Sequence, residues 1–356
     1  MRVSMNIEKA EGPAGGGNQF ANCLESRLAA NGHEVFRELV RRLDLILIVS
    51  NRFHAGTTAY DFDAIAEYKE LHPNTVVVHR VNDSDEAKGN NLGINAKMAE
   101  ASRLADFSIF VSGHLRELHL RHGLDAKKPG CVILNGSDEA VFNGEGRAAW
   151  APGGKLRIVT HHWSSNFLKG YDVYERLDQL LGVPPYRGYF EFTCIGNLPL
   201  GVEFRNTRVM RHLSGIELAR EIKSHHLYVT AARNEPGGQH PVEAMQCGLP
   251  VLYLESGSLP EYCGPYGIAF TLANFEARLL TMRERYAELR DKALQCPYSG
   301  RQMAQQYEKI FLELVEERRA QPRPPPGAGA RLRHAARTLR RHLGVIRRAV
   351  AKRIGG

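Results

Sequence analysis

Short apolar runs separated by helical stretches recur along almost the whole chain, and this alternation limits the possible folds more than any other feature. RVSMNI (2–7), LILIVS (45–50), TVVVHR (75–80), FSIFVS (107–112) and CVILNG (131–136) read as strands. Helical patterns through 18–32, 61–71, 92–105 and 113–122 fall between them. Such alternation predicts a parallel sheet, because a helical crossover returns each strand in the same direction. The pattern breaks at NGEGRAAWAPGG (143–154), which reads as a linker. It restarts with KLRIVTHH (155–162), a helix through KGYDVYERLDQLL, and the strands YFEFTCIG (189–196), HHLYVTA (225–231) and LPVLYLE (249–255). Helical segments follow at 273–295 and 299–320. At 356 residues the chain exceeds the usual size of a single core. The expected fold class is α/β, with two doubly wound Rossmann-like domains, residues 1–150 and 151–298, facing across a cleft.

Ligands of doubly wound sheets bind beyond the carboxyl ends of the strands. The segment after HHLYVTA is NEPGGQHPVEAMQCG, with Glu235 and Glu243 eight positions apart. Glu235 falls just past the strand. Gly237 and Gly238 free the loop backbone to point N–H groups at an anion, and the helix expected to start near His240 adds its positive end. Glu243 then lies in the first turns of that helix, where a carboxylate can accept two hydrogen bonds from a vicinal diol such as a ribose. A diphosphate at the helix tip and a ribose on Glu243 describe a bound nucleotide. Glu235 sits nearest the group being transferred. In the first half, GPAGGG (12–17) lies between a strand and a helix. It suits close backbone approach by a ligand or a flexible turn, and it departs from G-x-G-x-x-G. Gly16, Gly17 and Asn18 are its candidates for the cleft. VVVHRVNDSDEAKG (76–89) releases His79, Arg80, Asn82, Asp83 and Asp85. Arg80 suits a phosphate or carboxylate, and Asn82 and Asp83 suit sugar hydroxyls. A polar turn with a helix cap explains the same run.

The Glu235–Glu243 pair, followed by Ala244, Met245, Gln246, Cys247, Gly248, Leu249, Pro250 and Val251, resembles the E-x7-E hallmark of the retaining glycosyltransferases of family 4, which have the GT-B architecture. GSLPE (257–261) resembles the G-G-x-P-E of that family. The resemblance covers roughly residues 1–320. It implies that Glu235 is the catalytic residue facing the sugar, that Glu243 binds the ribose, and that Gly237, Gly238, Gln239 and His240 hold the diphosphate. THHWSSNFLKGYDVY (160–174) resembles the segment where the family grips the leaving diphosphate with an arginine and a lysine. Lys169, before Gly170, matches the lysine. The arginine's position falls near Trp163 or Ser164, so His161, His162, Asn166 or an arginine from elsewhere would substitute. Some bacterial enzymes resembling the family carry a run like His79–Asp85, which would line the acceptor side. Residues 299–320 would cross back to the first domain. The implied function is transfer of a sugar, with retention, from a nucleotide-diphosphate-sugar co-substrate to a hydroxyl of a glycan or lipid-linked glycan. Neither a metal nor another cofactor is implied. A GT-B sugar-nucleotide epimerase, or a non-catalytic nucleotide-sugar-binding scaffold of a glycan assembly complex, would use the same site. Product formation without acceptor marks the first, and binding without transfer marks the second.

Charge separates the end of the chain from its body. Nine of the 47 Lys and Arg fall in residues 331–356, which have no acid; 38 basic and 39 acidic residues remain elsewhere. Residues 321–330, QPRPPPGAGA, form a Pro/Gly linker before this tail. Leu332, Ala336, Leu339, Leu343, Ile346, Val350 and Ile354 form one apolar stripe on a helix rich in arginine, which suits an anionic membrane surface. No aromatic residues interleave with the arginines, so nucleic acid is not an expected partner. The six cysteines form no C-x-x-C pair. No signal-peptide core opens the chain and no apolar run spans a bilayer. The expected location is cytoplasmic, peripheral on the inner face of the membrane.

Overall fold

The computed structural model describes residues 1–9, 16–50, 57–329 and 332–333. The tail expected to lie on a membrane, apart from residues 332–333, and residues 12–15 of the glycine-rich loop lie outside the described residues. No described helix is long and apolar enough to cross a membrane.

The first half runs β1 (Arg2–Met5), α1 (Gly16–Ala30), β2 (Glu34–Phe36), β3 (Leu45–Ile48), α2 (Phe62–Leu71), β4 (Val76–Val81), α3 (Ile94–Leu104), β5 (Phe107–Phe110), α4 (Gly113–Arg121) and β6 (Gly130–Val132). The second runs β7 (Leu156–His162), α5 (Tyr171–Leu181), α6 (Tyr186–Tyr189), β8 (Phe190–Gly196), β9 (Arg208–Met210), α7 (Gly215–Lys223), β10 (Leu227–Thr230), α8 (Gln239–Gln246), β11 (Val251–Leu254), α9 (Leu259–Cys263), β12 (Gly267–Phe270), α10 (Phe275–Glu284), α11 (Tyr286–Ala293) and α12 (Gly300–Ala320). Two six-stranded parallel sheets result, in the orders β2-β1-β3-β4-β5-β6 and β12-β11-β10-β7-β8-β9. The central strands β3, β4, β10 and β11 are buried along their whole length. This is why they read as continuous apolar runs rather than alternating ones. In the second sheet the strand order reverses between β7 and β10, the switch point where such sheets open a crevice.

Side-chain caps set where helices begin. Asp61 Oδ1 accepts from the Ala64 N–H (2.9 Å), and Ser299 Oγ accepts from the Gln302 N–H (3.1 Å). The last helix returns to the first sheet. Met303, Tyr307, Phe311 and Val315 of α12 pack with Phe20, Leu24 and Leu28 of α1 in one core. Arg27 Nε donates to Glu308 Oε2 at 2.7 Å beside that core.

The structure departs from the sequence expectation at two places. The edge strands β2, β9 and β12 are only three or four residues long and partly exposed, so they carry no extended apolar run. The helix expected over 273–295 is two helices that meet at Arg285.

Two core histidines link stability to pH. His79 on β4 is fully buried against Ser102 Oγ at 2.8 Å, and burial pushes its pKa down to about 3. Burial, then the Arg157 charge, lowers His226 to about 4, and its Nδ1 accepts from the Arg157 N–H at 3.1 Å. In the unfolded chain both titrate near about 6.5. Below that pH the unfolded state takes up protons that the folded state refuses, so stability falls as pH falls. Going from about pH 6.5 to about 5.5 is expected to cost roughly 1 kcal/mol for each histidine. Urea denaturation at the two pH values checks this. An unchanged midpoint would contradict the buried neutral state of both groups.

Candidate functional site

A cavity of about 630 Å³ lies between the two sheets, beyond the carboxyl ends of β7 and β10. Its size suits a nucleotide-sized ligand. Lys169, Glu235, Gly237, Gln239, His240 and Glu243 line it from the second domain. Gly16, Gly17, Asn18, Arg80, Asn82 and Asp83 line it from the first. A larger cavity of about 810 Å³, between α1 and residues 136–142, contains none of the predicted site residues.

The segment after β10 holds Glu235 in a fixed position. Asn234 adopts a left-handed backbone (φ 51°), uncommon for a residue other than glycine. Its N–H donates to Ser256 Oγ (3.0 Å), and the Ser258 N–H donates to the Glu235 carbonyl (2.8 Å). Gly257 is required at this crossing: its φ is +61°, and a Cβ there would lie 2.3 Å from the Glu235 nitrogen. Glu235 is 6% exposed, and Lys169 Nζ donates to its Oε2 at 2.7 Å. Lys169 ends a short 3-10 turn, Phe167–Lys169, which stops at Gly170.

Glu243 sits one turn into α8 and is 3% exposed. His161 Nε2 lies 2.8 Å from its Oε2, and Gln239 Nε2 donates to its Oε1 at 3.3 Å. His161 and His162 end β7, beside His240, whose Nε2 is 2.9 Å from Thr230 Oγ1. His162 Nε2 lies 2.8 Å from the Tyr174 hydroxyl. Burial first, then neighbouring positive groups including Lys169, holds His162 and His240 well below the usual histidine range. Both therefore present neutral imidazoles to the cavity. Among the described residues no group of three or more His, Cys, Asp or Glu is placed to hold a metal ion.

Two predicted residues fall outside the cavity lining. His79 does so because β4 continues to Val81, and neighbouring residues of a strand face opposite sides. His79 turns to Ser102 of α3, whereas Arg80 turns to α1. There Arg80 stacks 4.1 Å from the Phe20 ring centroid and donates to Asn135 Oδ1 at 2.8 Å. Gly238 meets Pro241 and Tyr262 instead: a Cβ there would lie 3.0 Å from Pro241 Cγ. Gly237 marks a close domain contact, since a Cβ would lie 2.7 Å from Val111 Cγ2. Gly16 opens α1 opposite α8, where a Cβ would lie 3.6 Å from Gln239 Cγ.

The substitutes considered for the unmatched arginine are engaged elsewhere. His161 faces Glu243, and His162 faces Tyr174. Asn166 caps the turn through the Leu168 N–H (2.9 Å) and donates to the Lys88 carbonyl (3.0 Å). Trp163, half-exposed, packs edge-on against His212 with centroids 4.5 Å apart.

Contacts outside the predicted site residues lock the domains together. The Tyr262 hydroxyl donates to the Val111 carbonyl (2.6 Å) and accepts from the Asn135 N–H (2.8 Å). Glu261, in the segment GSLPE, accepts from the Gly113 N–H at the start of α4 (2.8 and 3.0 Å). Ser112 Oγ donates to the Pro236 carbonyl at 2.7 Å.

Comparison with known proteins fits this geometry. Residues 205–306 match the family of glycosyl transferases group 1. No curated protein matches the sequence. Among solved structures, sucrose-phosphate synthase from Thermosynechococcus elongatus is similar at 15% identity and a TM-score of 0.67, over 89% of this chain and 99% of that one. HepE from Anabaena in complex with UDP-glucose is similar at 15% identity and a TM-score of 0.63, over 88% and 100%. The catalytic domain of starch synthase IV from Arabidopsis thaliana, bound to ADP and acarbose, is similar at 13% identity and a TM-score of 0.61, over 88% and 99%. The chain therefore has the GT-B fold, two Rossmann-like domains, in common with these proteins, and the segment bearing Glu235 and Glu243 lies within its match to the glycosyl transferases group 1 model.

Proposed function

We propose that the chain is a retaining glycosyltransferase that moves a sugar from a nucleoside-diphosphate sugar to a hydroxyl of a glycan or lipid-linked glycan. One observation carries this reading. Glu235 and Glu243 face a single interdomain cavity, the first paired with Lys169 and the second with His161. In this reading the second domain holds the donor. Glu243 takes the ribose hydroxyls, Lys169 with Gly237, Gln239 and His240 takes the diphosphate, and Glu235 takes the sugar. The bond that breaks joins the anomeric carbon to a diphosphate oxygen. Charge develops on that oxygen, where fixed donors act most strongly. The acceptor enters from the side of Gly16, Asn18, Asn82 and Asp83. The complexes of similar proteins with UDP-glucose and ADP support the donor class. The likeness of the E-x7-E segment to family 4 supports retention.

Glu243→Ala is the direct test. A carboxylate holding a diol makes charge-assisted hydrogen bonds, so its loss should weaken nucleoside-diphosphate binding by roughly 10- to 100-fold. Titration of UDP, GDP and ADP into wild type and variant measures this. Equal affinity in both for the nucleotide that binds would remove Glu243 from the donor site.

A further inference from the structure

We propose that Lys88, from the first domain, binds the donor diphosphate as a second cation beside Lys169. The inference rests on the nucleotide-sugar reading above and adds a cross-domain contact to it.

The argument begins with charge. Each phosphate of the donor is anionic, and the departing diphosphate gains further charge. The lysine and arginine side chains that line the described cavity are Lys169, Lys88 and Arg80. Arg80 is 3% exposed, held under Phe20 and bonded to Asn135. His162 and His240 are kept neutral by burial and by nearby positive groups, so they bring no charge. Lys169, itself paired with Glu235, and the enclosed Arg80 would leave part of the diphosphate charge without a direct cationic contact. Arg233 is not among the residues that line the cavity, and two bonds, of 2.9 and 2.5 Å, hold it to Asp172.

Position supports the same assignment. Lys88 lies on the loop between β4 and α3, and that loop docks on the second domain at the turn bearing Lys169. Asn166 Nδ2 donates to the Lys88 carbonyl at 3.0 Å, and Asn234 Nδ2 donates to the Glu86 carbonyl at 3.3 Å. Gly89 (φ +69°) packs so closely that a Cβ would lie 2.7 Å from Leu168 Cδ1. The loop is also ordered from within: Asp85 Oδ1 accepts from the Leu92 and Ile94 N–H groups at 2.9 and 3.0 Å. Lys88 is thus anchored by its backbone next to Trp163–Lys169, while its side chain faces the cavity. Its ammonium meets Asp83 Oδ1 at 3.1 Å, and both groups are partly exposed. The pair is a single contact between partly exposed side chains that water still screens, so an incoming phosphate, which carries more charge than one carboxylate, can compete for the lysine.

The test uses the full chain with Lys88→Met and Lys88→Arg. UDP, GDP, ADP and the matching monophosphates are titrated singly into each protein. The expected result is a loss of roughly 10- to 100-fold in affinity for the diphosphate that wild type binds, as for a charge-assisted contact. The monophosphate should bind as before, and arginine should restore most of the loss. A structural role of the Lys88–Asp83 pair would weaken both nucleotides alike, which would overturn the proposal. Unchanged diphosphate affinity in Lys88→Met would overturn it too. If wild type binds none of the six nucleotides, the nucleotide-sugar reading itself fails, and this proposal fails with it.

Discussion

Glu235→Ala is expected to lower sugar transfer by roughly 10²–10³-fold, the scale on which loss of one fixed polar group at a reacting centre is felt. Donor nucleotide should remain bound. The reason is the mounting of the side chain. Its backbone is held by Ser258 and by the left-handed Asn234, and its carboxylate by Lys169 at 2.7 Å. A group held this firmly needs no reorganisation when the sugar arrives. Alanine also releases Lys169, which can then lie wholly on the diphosphate, so nucleotide affinity should hold or rise while turnover falls. That split, turnover lost without a rise in KM, marks an interaction made in the transition state. Glu235→Gln keeps size and hydrogen bonding but removes the charge, so it should lose nearly as much. Steady-state kinetics with the cognate donor, beside direct nucleotide titration, measures both. Wild-type turnover in either variant would remove Glu235 from the reacting centre.

How far the sequence revealed the fold depended on burial. β3, β4, β10 and β11 announce themselves because both faces are covered, so nearly every position is apolar. β2 and β9 sit at sheet edges with much of their surface exposed and have no such signature. The break between α10 and α11 was hidden for the opposite reason. Phe275, Leu279, Met282, Tyr286, Leu289 and Ala293 are all buried and keep helical spacing straight across Arg285.

The candidate site divides in a similar way. Glu235 and Glu243 share one loop and helix, so local spacing exposes them. Lys88 follows the His79–Asp85 run, but nothing local marks it as a diphosphate ligand. Its place depends on Asn166, 78 residues further along, and on Asn234, which reaches Glu86 across 148 residues. His79 and Arg80 show the limit of local reading most simply: adjacent in sequence, they leave β4 on opposite faces, and only Arg80 reaches the cavity.

Gly170→Ala should be among the most damaging single substitutions in the second domain. Gly170 has φ +95°, where a Cβ is unfavourable in any surroundings. Here the surroundings are closed as well: the added carbon would lie 2.3 Å from Ala231 Cβ and 2.5 Å from the Ala231 carbonyl oxygen. Ala231 follows directly on β10 and is fully buried, so it has little room to move. Strain and overlap together are expected to cost about 3 kcal/mol or more. A less costly escape is for the turn carrying Lys169 to lift away, and this would break the pairing with Glu235. Thermal melting and transfer activity separate the two outcomes, unfolding from a folded chain with a displaced lysine. Gly188→Ala is the matched control: no atom lies within 4 Å of its added carbon, and its backbone is not left-handed. That variant should be unchanged or slightly more stable, by about 0.4–1 kcal/mol. If Gly170→Ala melts with wild type and keeps full activity, the close packing of the Lys169 turn against β10 does not position the site.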